Sequence, residues 1–573
     1  MKKDEYLYKT NEFGNLKEIM YDVTEKNQEL NAFIIKEKLG KEVKYKNISY
    51  KEALSDANNL GTALFDLGMK NKRIAIISKN RYEWIIGYFA TLMGDMTVVP
   101  LDKGLTALEL ENSLSRSKAD MVIFEKEYVD MVKNIKSNKN TNLKEYVCMD
   151  EVDGYKYIYD LIERGRHLLE NGNDEYVNME INPNDTRILL FTSGTTAASK
   201  IVMLAHSNVM HNVNSVNKII KVYNKDIYLA MLPFHHCLGI VGFLIVFFNG
   251  GTSVFCDGLR YIKDNLKEYK VSIMITVPLL LEAMSKKVDA EIEKKGKTKA
   301  VSIAKKISKI LLIFGIDIRR KLFKDIIDQF GGDIRYFISG AAALDKNVIK
   351  GFNEIGIRTI QGYGLTETTP VISIGNDKYT KDGSVGFPLK DVEVKIVDVD
   401  EEGIGEIVAK GPNIMLGYYE NQEATDEVIK DGWFYTGDLG YIDEEGYVFI
   451  TGRKKNVIVL KNGKNIYPEE LENLVNKLDV VKESMVFGLP KGDDLVVSVK
   501  VQYDEEVTSD KYKGMNEEGL REIIWEQIKE INKMLPKYKY IKNMILTNED
   551  FIKTTTNKIK RHEEMKKMEI SLK

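Results

Sequence analysis

Short apolar runs rich in β-branched residues recur along the first two-thirds of the chain, and they constrain its fold more than any other feature. Most of these runs are apolar at successive positions rather than at alternate ones, as in strands buried on both faces of a sheet. Helical patterns such as residues 82–93 lie between many of them. This alternation predicts βαβ units and largely parallel sheets. The predicted strands are residues 73–78, 97–101, 121–124, 188–193, 228–232, 252–256, 272–277 and 336–339.

The pattern changes near residue 384. Residues 392–399 alternate between polar and apolar side chains, a Glu-Glu-Gly turn follows, and residues 406–409 continue the alternation. Residues 441–450 contain a second hairpin pattern. These signals predict a small antiparallel sheet.

A third pattern begins after residue 453. Pro468 is placed to open a helix, and an apolar helical stripe at residues 520–535 ends at Pro536. The predicted fold class is therefore α/β. We expect an N-terminal domain at 1–454 made mostly of parallel βαβ sheets, with an antiparallel β subdomain at about 384–450, and a small α+β C-terminal domain at 455–573.

The composition argues against several classes of protein. Of the 573 residues, 83 are Lys or Arg and 86 are Asp or Glu, and the net charge of −3 argues against a dedicated nucleic-acid binder. Three cysteines are too few for a disulfide framework, which favours a reducing, cytoplasmic compartment. We find no signal-peptide pattern, and the apolar core of the longest uncharged stretch, residues 238–248, is shorter than the ~20 residues that a membrane span needs.

A loop of small hydroxyl residues, TSGTTAASK, ends in a lysine and directly follows the apolar run ILLF. Backbone N–H groups, hydroxyls and an ammonium group together favour phosphate binding. A Walker loop fits poorly, because Ser199 replaces its second glycine and Ile201 its final hydroxyl residue. A polar loop without a ligand is the alternative. The candidate binding residues are Thr192, Ser193, Gly194, Thr195, Thr196 and Lys200.

Three further motifs follow this loop in order: QGYGLTET at 361–368, GWFYTGD at 432–438 and GRKK at 452–455. Together they resemble the adenylate-forming (AMP-dependent) acyl-CoA synthetase and ligase superfamily over roughly residues 47–561, most like the bacterial long-chain-fatty-acid–CoA ligases. The phosphate loop departs from the family at Ala197, Ser199 and Ile201, where Gly, Pro and Gly are usual.

The resemblance implies an enzyme that uses ATP and Mg²⁺ to convert a carboxylic acid into acyl-adenylate and pyrophosphate. Coenzyme A then displaces AMP to give acyl-CoA. We expect a long-chain fatty acid because of the overall resemblance. The resemblance also implies that the C-terminal domain swings between the two steps, with Lys455 at the pivot and Gly463 on the route to the thiol.

Residue types match this chemistry. Tyr363 offers a flat face for adenine, and Thr366 offers a hydroxyl to a phosphate or carboxylate oxygen. Glu367 is a hard oxygen ligand suited to Mg²⁺, to which Thr195 is a second candidate ligand. Glu367 also occupies the last glycine position of a dinucleotide fingerprint, so NAD is disfavoured. The remaining candidate residues of this segment are Gln361, Gly362 and Gly364.

The resemblance also implies roles for residues outside these motifs' central positions, each assigned where this sequence matches a family motif. His236, in the segment PFHH after a predicted strand, falls beside the acid carboxylate, although a structural histidine is the alternative. Gly340 and Ala341 resemble the loop on the adenine side. Asp438 is expected to bind ribose hydroxyls, unless it is only a turn residue, and Arg453 is expected to bind ribose or phosphate.

The C-terminal segment KTTTNKIKR resembles the family's final motif, with Asn557 where glycine is common. Its lysine is Lys558, which we expect to neutralise charge at the α-phosphate during adenylation. Lys560 and Arg561 are expected to belong to a solvated basic tail.

A basic segment between Lys286 and Lys324 holds thirteen Lys or Arg and four Asp or Glu. Apolar residues recur there at helical spacing, with lysines interleaved, as in helices that lie on anionic lipid. A solvated helix face is the alternative. The residues concerned are Ile303, Lys305, Lys306, Ile307, Lys309, Ile310, Leu311 and Phe314.

Three other functions stay open. The acyl group could pass to a carrier-protein thiol instead of coenzyme A, although the remaining length leaves no room for a fused carrier domain. The departures at Ala197, Ser199, Ile201 and Asn557 keep open a nucleotide or acyl binder without turnover. The basic segment keeps open a membrane-surface scaffold, and oligomeric state is not predicted.

Overall fold

Strands and helices alternate along most of the chain in the computed structural model, which describes residues 6–40, 42–192, 199–461, 464–491, 494–512, 514–553 and 558–571. The described residues form two compact units. The first contains the residues up to Thr192 together with Lys200–Glu393 and Ala409–Phe434, and the second contains Val394–Val408 and the residues from Tyr435 onward.

The described helices are as follows. They are α1 (Leu16–Asn27), α2 (Tyr50–Asp66), α3 (Tyr82–Leu92), α4 (Ala107–Arg116), α5 (Val129–Asn138), α6 (Ile158–Glu170), α7 (His206–Asn217), α8 (Cys237–Phe247), α9 (Ile262–Glu268), α10 (Pro278–Lys294), α11 (Thr298–Ile313), α12 (Arg319–Leu322), α13 (Lys324–Ile327), α14 (Lys346–Glu354), α15 (Gln422–Val428), α16 (Pro468–Val475), α17 (Glu505–Lys511), α18 (Glu517–Lys533) and α19 (Arg561–Ser571).

The described strands are as follows. They are β1 (Asn31–Leu39), β2 (Glu42–Ser49), β3 (Arg73–Ile77), β4 (Thr97–Pro100), β5 (Met121–Phe124), β6 (Glu145–Cys148), β7 (Lys156–Tyr157), β8 (Thr186–Phe191), β9 (Ile201–Ala205), β10 (Ile227–Ala230), β11 (Thr252–Phe255), β12 (Ile273–Thr276), β13 (Tyr336–Ser339), β14 (Arg358–Tyr363), β15 (Ser373–Ile374), β16 (Phe387–Pro388), β17 (Glu393–Val397), β18 (Gly405–Lys410), β19 (Gly417–Tyr418), β20 (Ile429–Lys430), β21 (Trp433–Ile442), β22 (Val448–Arg453), β23 (Ile458–Val459), β24 (Asn465–Ile466), β25 (Val481–Lys491), β26 (Asp494–Tyr503) and β27 (Asn543–Thr547).

The larger sheet of the first unit has the order β16-β15-β14-β13-β12-β10-β11-β1-β2 among the described strands. Its central strands, from β14 to β1, pair in parallel, while β2, β15 and β16 pair antiparallel at the two edges. Every residue of β12 and β13 is buried, which explains why these strands are apolar at successive positions.

The second sheet of this unit has the order β19-β9-β8-β4-β3-β5-β6-β7 among the described strands. It is parallel from β8 to β7, and β9 and β19 extend it antiparallel. The antiparallel β8–β9 pair has a direct consequence for function, because the segment between these two strands is the predicted phosphate loop.

The second unit contains two structural parts. One is a sheet in which β17, β18 and β21 are neighbours and β22 pairs antiparallel with β21. The other is the sheet β25-β26-β27, packed with α16 and α18 around a core that includes Leu471, Val499 and Ile524.

The predicted fold class is confirmed: a large, mostly parallel α/β part is joined to a smaller α+β part. All eight predicted strands of the first unit are present, with ends that differ by at most two residues. The hairpin β1–β2 was missed, because β2 is mostly exposed and has no apolar run. The domain boundary at 454/455 and the swing of the C-terminal domain stay predictions. Among the described helices, none is both long and apolar enough to cross a membrane.

The buried imidazole of His206, at the first position of α7, makes the stability of the first unit dependent on pH. The Leu16 N–H donates to its Nδ1 at 3.3 Å. Burial, and to a smaller extent Arg187, lower the pKa of His206 to about 3. In the unfolded chain the same group binds a proton below about pH 6.5, so stability is fully present above that pH and is lost as pH falls toward 3.

We predict that acidification from pH 6.5 to 5 costs about 2 kcal/mol of unfolding free energy through His206 alone. His206→Asn keeps an acceptor for the Leu16 N–H and removes the titrating group, so its Tm should fall less steeply with acid. Thermal unfolding over this pH range, with the exposed His167→Asn as control, measures the difference. Parallel Tm profiles for all three proteins would contradict the prediction.

Candidate functional site

Four parallel strands of the larger sheet end at the same edge, and predicted site residues follow three of them. The strands lie in the order β14-β13-β12-β10, with Thr276 opposite Ser339 and Ser339 opposite Gln361. Open α/β sheets bind ligands outside such carboxyl ends. The residues brought to this edge are His236 after β10, Gly340 and Ala341 after β13, and Gln361, Gly362, Tyr363, Gly364, Thr366 and Glu367 at and after the end of β14.

In the turn after β14, one position has a backbone conformation and surroundings that only glycine can accommodate. Gly364 has φ of +157°, and a Cβ there would lie 1.8 Å from the Pro370 carbonyl oxygen. The Thr368 hydroxyl accepts the Leu365 N–H at 2.9 Å. These constraints hold the short 3-10 turn Thr366–Thr368 in place, so Thr366 and Glu367 are presented on a fixed backbone.

Three side chains of the first unit form a connected chain that contains two predicted site residues. The Tyr418 hydroxyl donates to Glu367 Oε1 at 2.9 Å, and the Lys200 ammonium lies 4.5 Å from the centre of the Tyr418 ring. Burial, followed by the Glu367 carboxylate, raises the pKa of Tyr418, so its hydroxyl remains a donor at neutral pH. Tyr418 therefore holds Glu367 by a hydrogen bond and Lys200 by its ring face.

The predicted phosphate loop is closed at its base by Thr192 and Lys200. The Thr192 N–H donates to the Lys200 carbonyl at 2.9 Å, and the Lys200 N–H donates to Thr192 Oγ1 at 3.2 Å. The chain enters this loop from β8 and leaves it into β9, whereas a Walker loop leads into a helix. The poor fit to a Walker loop is thus confirmed by topology.

His236 lies at the N-cap of α8, next to the turns after β13 and β14. Leu238, in the first turn of α8, is close to Gly340: a Cβ on that glycine would lie 3.0 Å from Leu238 Cδ2. Burial, and then the Glu367 carboxylate, raise the pKa of Cys237. The start of α8 therefore lies near both the Gly340 turn and Glu367, where a residue that contacts the acid carboxylate is expected.

His236 is half-buried and belongs to a small polar cluster. Its ring centre lies 4.3 Å from that of His235, and His235 Nε2 lies 3.4 Å from Asp102 Oδ1. Asp102 follows the carboxyl end of β4, in the second sheet of the same unit. The cluster joins the ends of the two sheets beside the start of α8.

The remainder of α8 is buried. Phe243 and Phe247 are fully buried and contact the rings of Phe33 and Phe89. Most of α8 is therefore part of the core, while half-buried Leu238 lies close to Gly340.

In the second unit, Asp438 and Arg453 face each other across the β21–β22 pair. The Arg453 Nε lies 2.7 Å from Asp438 Oδ1, and Asp438 is buried within β21 rather than in a turn. Glu406 supports this position by accepting the Gly437 N–H at 3.0 Å and the Lys454 ammonium at 2.7 Å. The pair thus provides a held carboxylate and a guanidinium on neighbouring strands.

Lys558 is exposed and lies between anchored positions of the second unit. Lys553 and Ile559 form a β-bridge, and the Arg561 guanidinium binds both carboxylate oxygens of the buried Glu472 at 2.5 Å. The expectation of a solvated Arg561 is wrong, because this ion pair and a bond to the Val486 carbonyl hold it. Lys560 is half-buried and pairs with Glu563 at 3.2 Å.

Several predicted residues lie outside the described part of the chain and stay predictions. They are Ser193, Gly194, Thr195, Thr196 and Gly463, together with Ala197 and Asn557 among the departures from the family.

Sequence reasoning missed Tyr418 and Asp102. Tyr418 lies in a two-residue strand, which is too short for a periodic signal. Asp102 directly follows the predicted strand TVVPL, and the rule that ligands bind at strand ends could have indicated it.

Comparison with known proteins supports this arrangement. Residues 24–419 match the AMP-binding enzyme family, and residues 455–571 match the AMP-binding enzyme C-terminal domain. Long-chain-fatty-acid–CoA ligase 5 of Rattus norvegicus is 32% identical over 479 residues, which cover 78% of this chain and 69% of the rat protein. Fatty acyl-CoA synthetase B of Dictyostelium discoideum is 27% identical over 590 residues, covering 92% and 85%.

Solved structures share the fold. An anthranilate CoA ligase in complex with anthranoyl-AMP has a TM-score of 0.76 at 19% identity, covering 98% of each chain. A fatty acyl CoA synthetase of Mycobacterium tuberculosis has a TM-score of 0.65 at 21% identity, covering 97% of this chain and 98% of that one.

We predict that Tyr418→Phe weakens binding of MgATP about tenfold, because a hydrogen bond to a charged group is worth roughly 1.5 kcal/mol or more. Tyr418→Phe keeps the aromatic ring that contacts Lys200. Tyr418→Leu removes this ring as well, so this variant should bind ATP more weakly still. Isothermal titration calorimetry gives the dissociation constants. Tyr419→Phe is the matched control, because the Tyr419 hydroxyl contacts Arg73 and Glu420 instead. Equal losses at Tyr418 and Tyr419 would show that Tyr418 has no specific role.

Proposed function

This chain belongs to the AMP-binding enzyme family, and from that premise we propose that it is an AMP-forming acid–thiol ligase that activates long-chain fatty acids with ATP and coenzyme A. The observation that carries the proposal is the gathering of His236, Gly340, Tyr363, Thr366 and Glu367 at one edge of the larger sheet. The names of the relatives above support the choice of a fatty acid.

The reaction has two steps. A carboxylate oxygen of the acid attacks the α-phosphorus of ATP, and the bond from that phosphorus to the pyrophosphate oxygen breaks. The sulfur of coenzyme A then attacks the acyl carbon, AMP leaves with the carboxylate oxygen, and the thiol proton passes to solvent. Activation is needed because a carboxylate is a poor electrophile, whereas the mixed anhydride has AMP as a good leaving group.

The residues of the first unit have separate roles in this proposal. Tyr363 and the Gly340 turn bind adenine, and Lys200 with Thr192 binds the phosphates at the base of the loop. Thr366 and His236 orient the acid carboxylate. Tyr418 is a positioning residue, because it acts through Lys200 and Glu367.

The donor set around Glu367 fits a magnesium ion that accompanies ATP. Mg²⁺ prefers oxygen ligands and keeps several waters, so one protein carboxylate together with phosphate oxygens is sufficient. Glu367 offers such a carboxylate on a fixed turn, with its orientation set by Tyr418. Bound there, Mg²⁺ would neutralise charge on the phosphates, and Thr195 is its second proposed ligand.

Four residues from the second half of the chain have proposed roles. Asp438 accepts the ribose hydroxyls, and Arg453, which orients the Asp438 carboxylate, binds ribose or phosphate. Lys558 neutralises the charge that develops at the α-phosphorus in the first step only. Gly463 is proposed to line the route of the coenzyme A thiol.

A substrate screen tests the proposed function as a whole. We predict exchange of labelled pyrophosphate into ATP that depends on added acid and rises with chain length. Addition of coenzyme A should then release AMP and form thioester, while acyl carrier protein should not replace it. Absence of acid-dependent exchange with every acid would favour a binder without turnover, and thioester formation only with carrier protein would move the enzyme to another class.

Lys558 separates the two steps. We predict that Lys558→Ala lowers the rate of adenylate formation by roughly a hundredfold or more, because it removes a charge used in that transition state. Thioester formation from supplied acyl-adenylate should be nearly unchanged. Both half-reactions are measured by rapid quench.

Lys560→Ala is the matched control, since Lys560 lies two residues away and pairs with Glu563. It should leave both half-reactions near the parent rate. An equal fall of the two half-reactions in Lys558→Ala would instead make Lys558 a structural residue.

Peripheral contact with an anionic membrane is a separate proposal, independent of the reaction. Long-chain acids partition into lipid, so an enzyme that uses them gains from residence at a membrane surface.

A further inference from the structure

Helix α11 has its apolar face on the outside of the first unit. Ile303, Ile307 and Ile310 are each about half exposed or more, and at the end of the helix Ile313 is 78% and Phe314 73% exposed. An exposed helix of a water-soluble protein normally presents its polar face to solvent. A contiguous apolar stripe such as this one marks an interaction surface.

The opposite face of α11 is already packed. Val301 and Ala304 contact the core beneath the larger sheet, and Ser308 is buried. Turning the helix to bury its isoleucines would therefore expose side chains that are now in the core. The outward apolar face is a consequence of how the helix is anchored.

Charge on the same face identifies the partner. At 100° per residue, Lys299 and Lys306 lie within the arc of the stripe, between Ile310 and Ile313. Lys309 lies just beyond Ile313, at the edge of the stripe, and all three lysines are exposed. The sequence of α11, TKAVSIAKKISKILLI, contains no acidic residue. Lys305 lies farther from the stripe, is half-buried and pairs with Glu354 at 3.0 Å, so its ammonium group is engaged within the protein and it is left out of the surface.

We propose that the outer face of α11, formed by Lys299, Ile303, Lys306, Ile307, Lys309, Ile310, Ile313 and Phe314, is a docking surface for an anionic lipid membrane. The isoleucines and Phe314 enter the headgroup boundary, and the three lysines lie over the anionic headgroups. The proposal rests on the proposed function only in placing a fatty-acid enzyme next to its substrate. Membrane binding is measured without turnover, so the two can fail independently.

Co-sedimentation with vesicles of equal parts phosphatidylglycerol and phosphatidylcholine tests the surface. We expect the unaltered protein to pellet at low salt and to be released as salt rises. Each lysine at an anionic surface is worth about a fivefold change in partition. The combined variant Lys299→Glu, Lys306→Glu, Lys309→Glu should therefore lose on the order of a hundredfold in binding.

Two matched controls separate this face from net charge. Lys133→Glu, Lys139→Glu, Lys144→Glu makes the same charge change at exposed positions elsewhere in the first unit and should bind nearly as the parent does. Lys306→Gln should weaken binding about fivefold, whereas Lys305→Gln should not. Equal losses in the two triple variants, or in the two single variants, would overturn the assignment to α11.

The apolar stripe is tested by Ile310→Ser, Ile313→Ser, Phe314→Ser. This variant should still pellet weakly at low salt and should lose the salt-resistant part of its binding, while its Tm stays near the parent value because these residues are exposed. Absence of pelleting by the unaltered protein would overturn the proposal. So would light scattering that shows a dimer dissociated by the same three substitutions, because the stripe would then be an interface between two copies.

Discussion

Parallel hydrogen bonding among β10, β12, β13 and β14 is the constraint on which the candidate site depends. The register that places Ser339 opposite Gln361 also fixes where the following turns begin. Residues more than a hundred positions apart, such as His236 and Glu367, therefore lie at one edge. The buried side chains of β12 and β13 stabilise the pairing, and the turns beyond the strand ends are left to carry polar chemistry.

The antiparallel segments at the sheet edges refine this arrangement. Because β19 pairs with β9, Tyr418 is brought from a distant part of the sequence to lie between Lys200 and Glu367. A short strand with few hydrogen bonds of its own thus determines how a cation and a carboxylate are spaced. The backbone pairing of β19 with β9 thus determines where the Tyr418 side chain lies.

The sequence predicted individual strands better than the contacts between distant parts of the chain. β5 and β13 were predicted at their observed bounds because both are short and wholly buried, and Ser339 is their only residue that is neither aliphatic nor aromatic. Tyr418 was missed because its role depends on a pairing between β19 and β9, which no local pattern encodes. Arg561 was misjudged for a similar reason: a basic residue near the end of a chain looks solvated until the buried Glu472 is known to lie beside it. The apolar face of α11 points outward because the opposite face is packed against the core. The periodicity of the sequence does not show which face of a helix is packed.

The anchors around Lys558 limit how far it can travel by itself. Ile559, the next residue, forms a β-bridge with Lys553. Arg561, three residues after Lys558, is held by Glu472. Three residues of chain span at most about 10 Å, so Lys558 works on a short tether. A lysine on a long flexible loop could search for a phosphate independently, but this one cannot. In the proposed mechanism Lys558 therefore moves with the body to which it is anchored, and the predicted swing of the C-terminal domain would deliver its charge for the first step and withdraw it for the second.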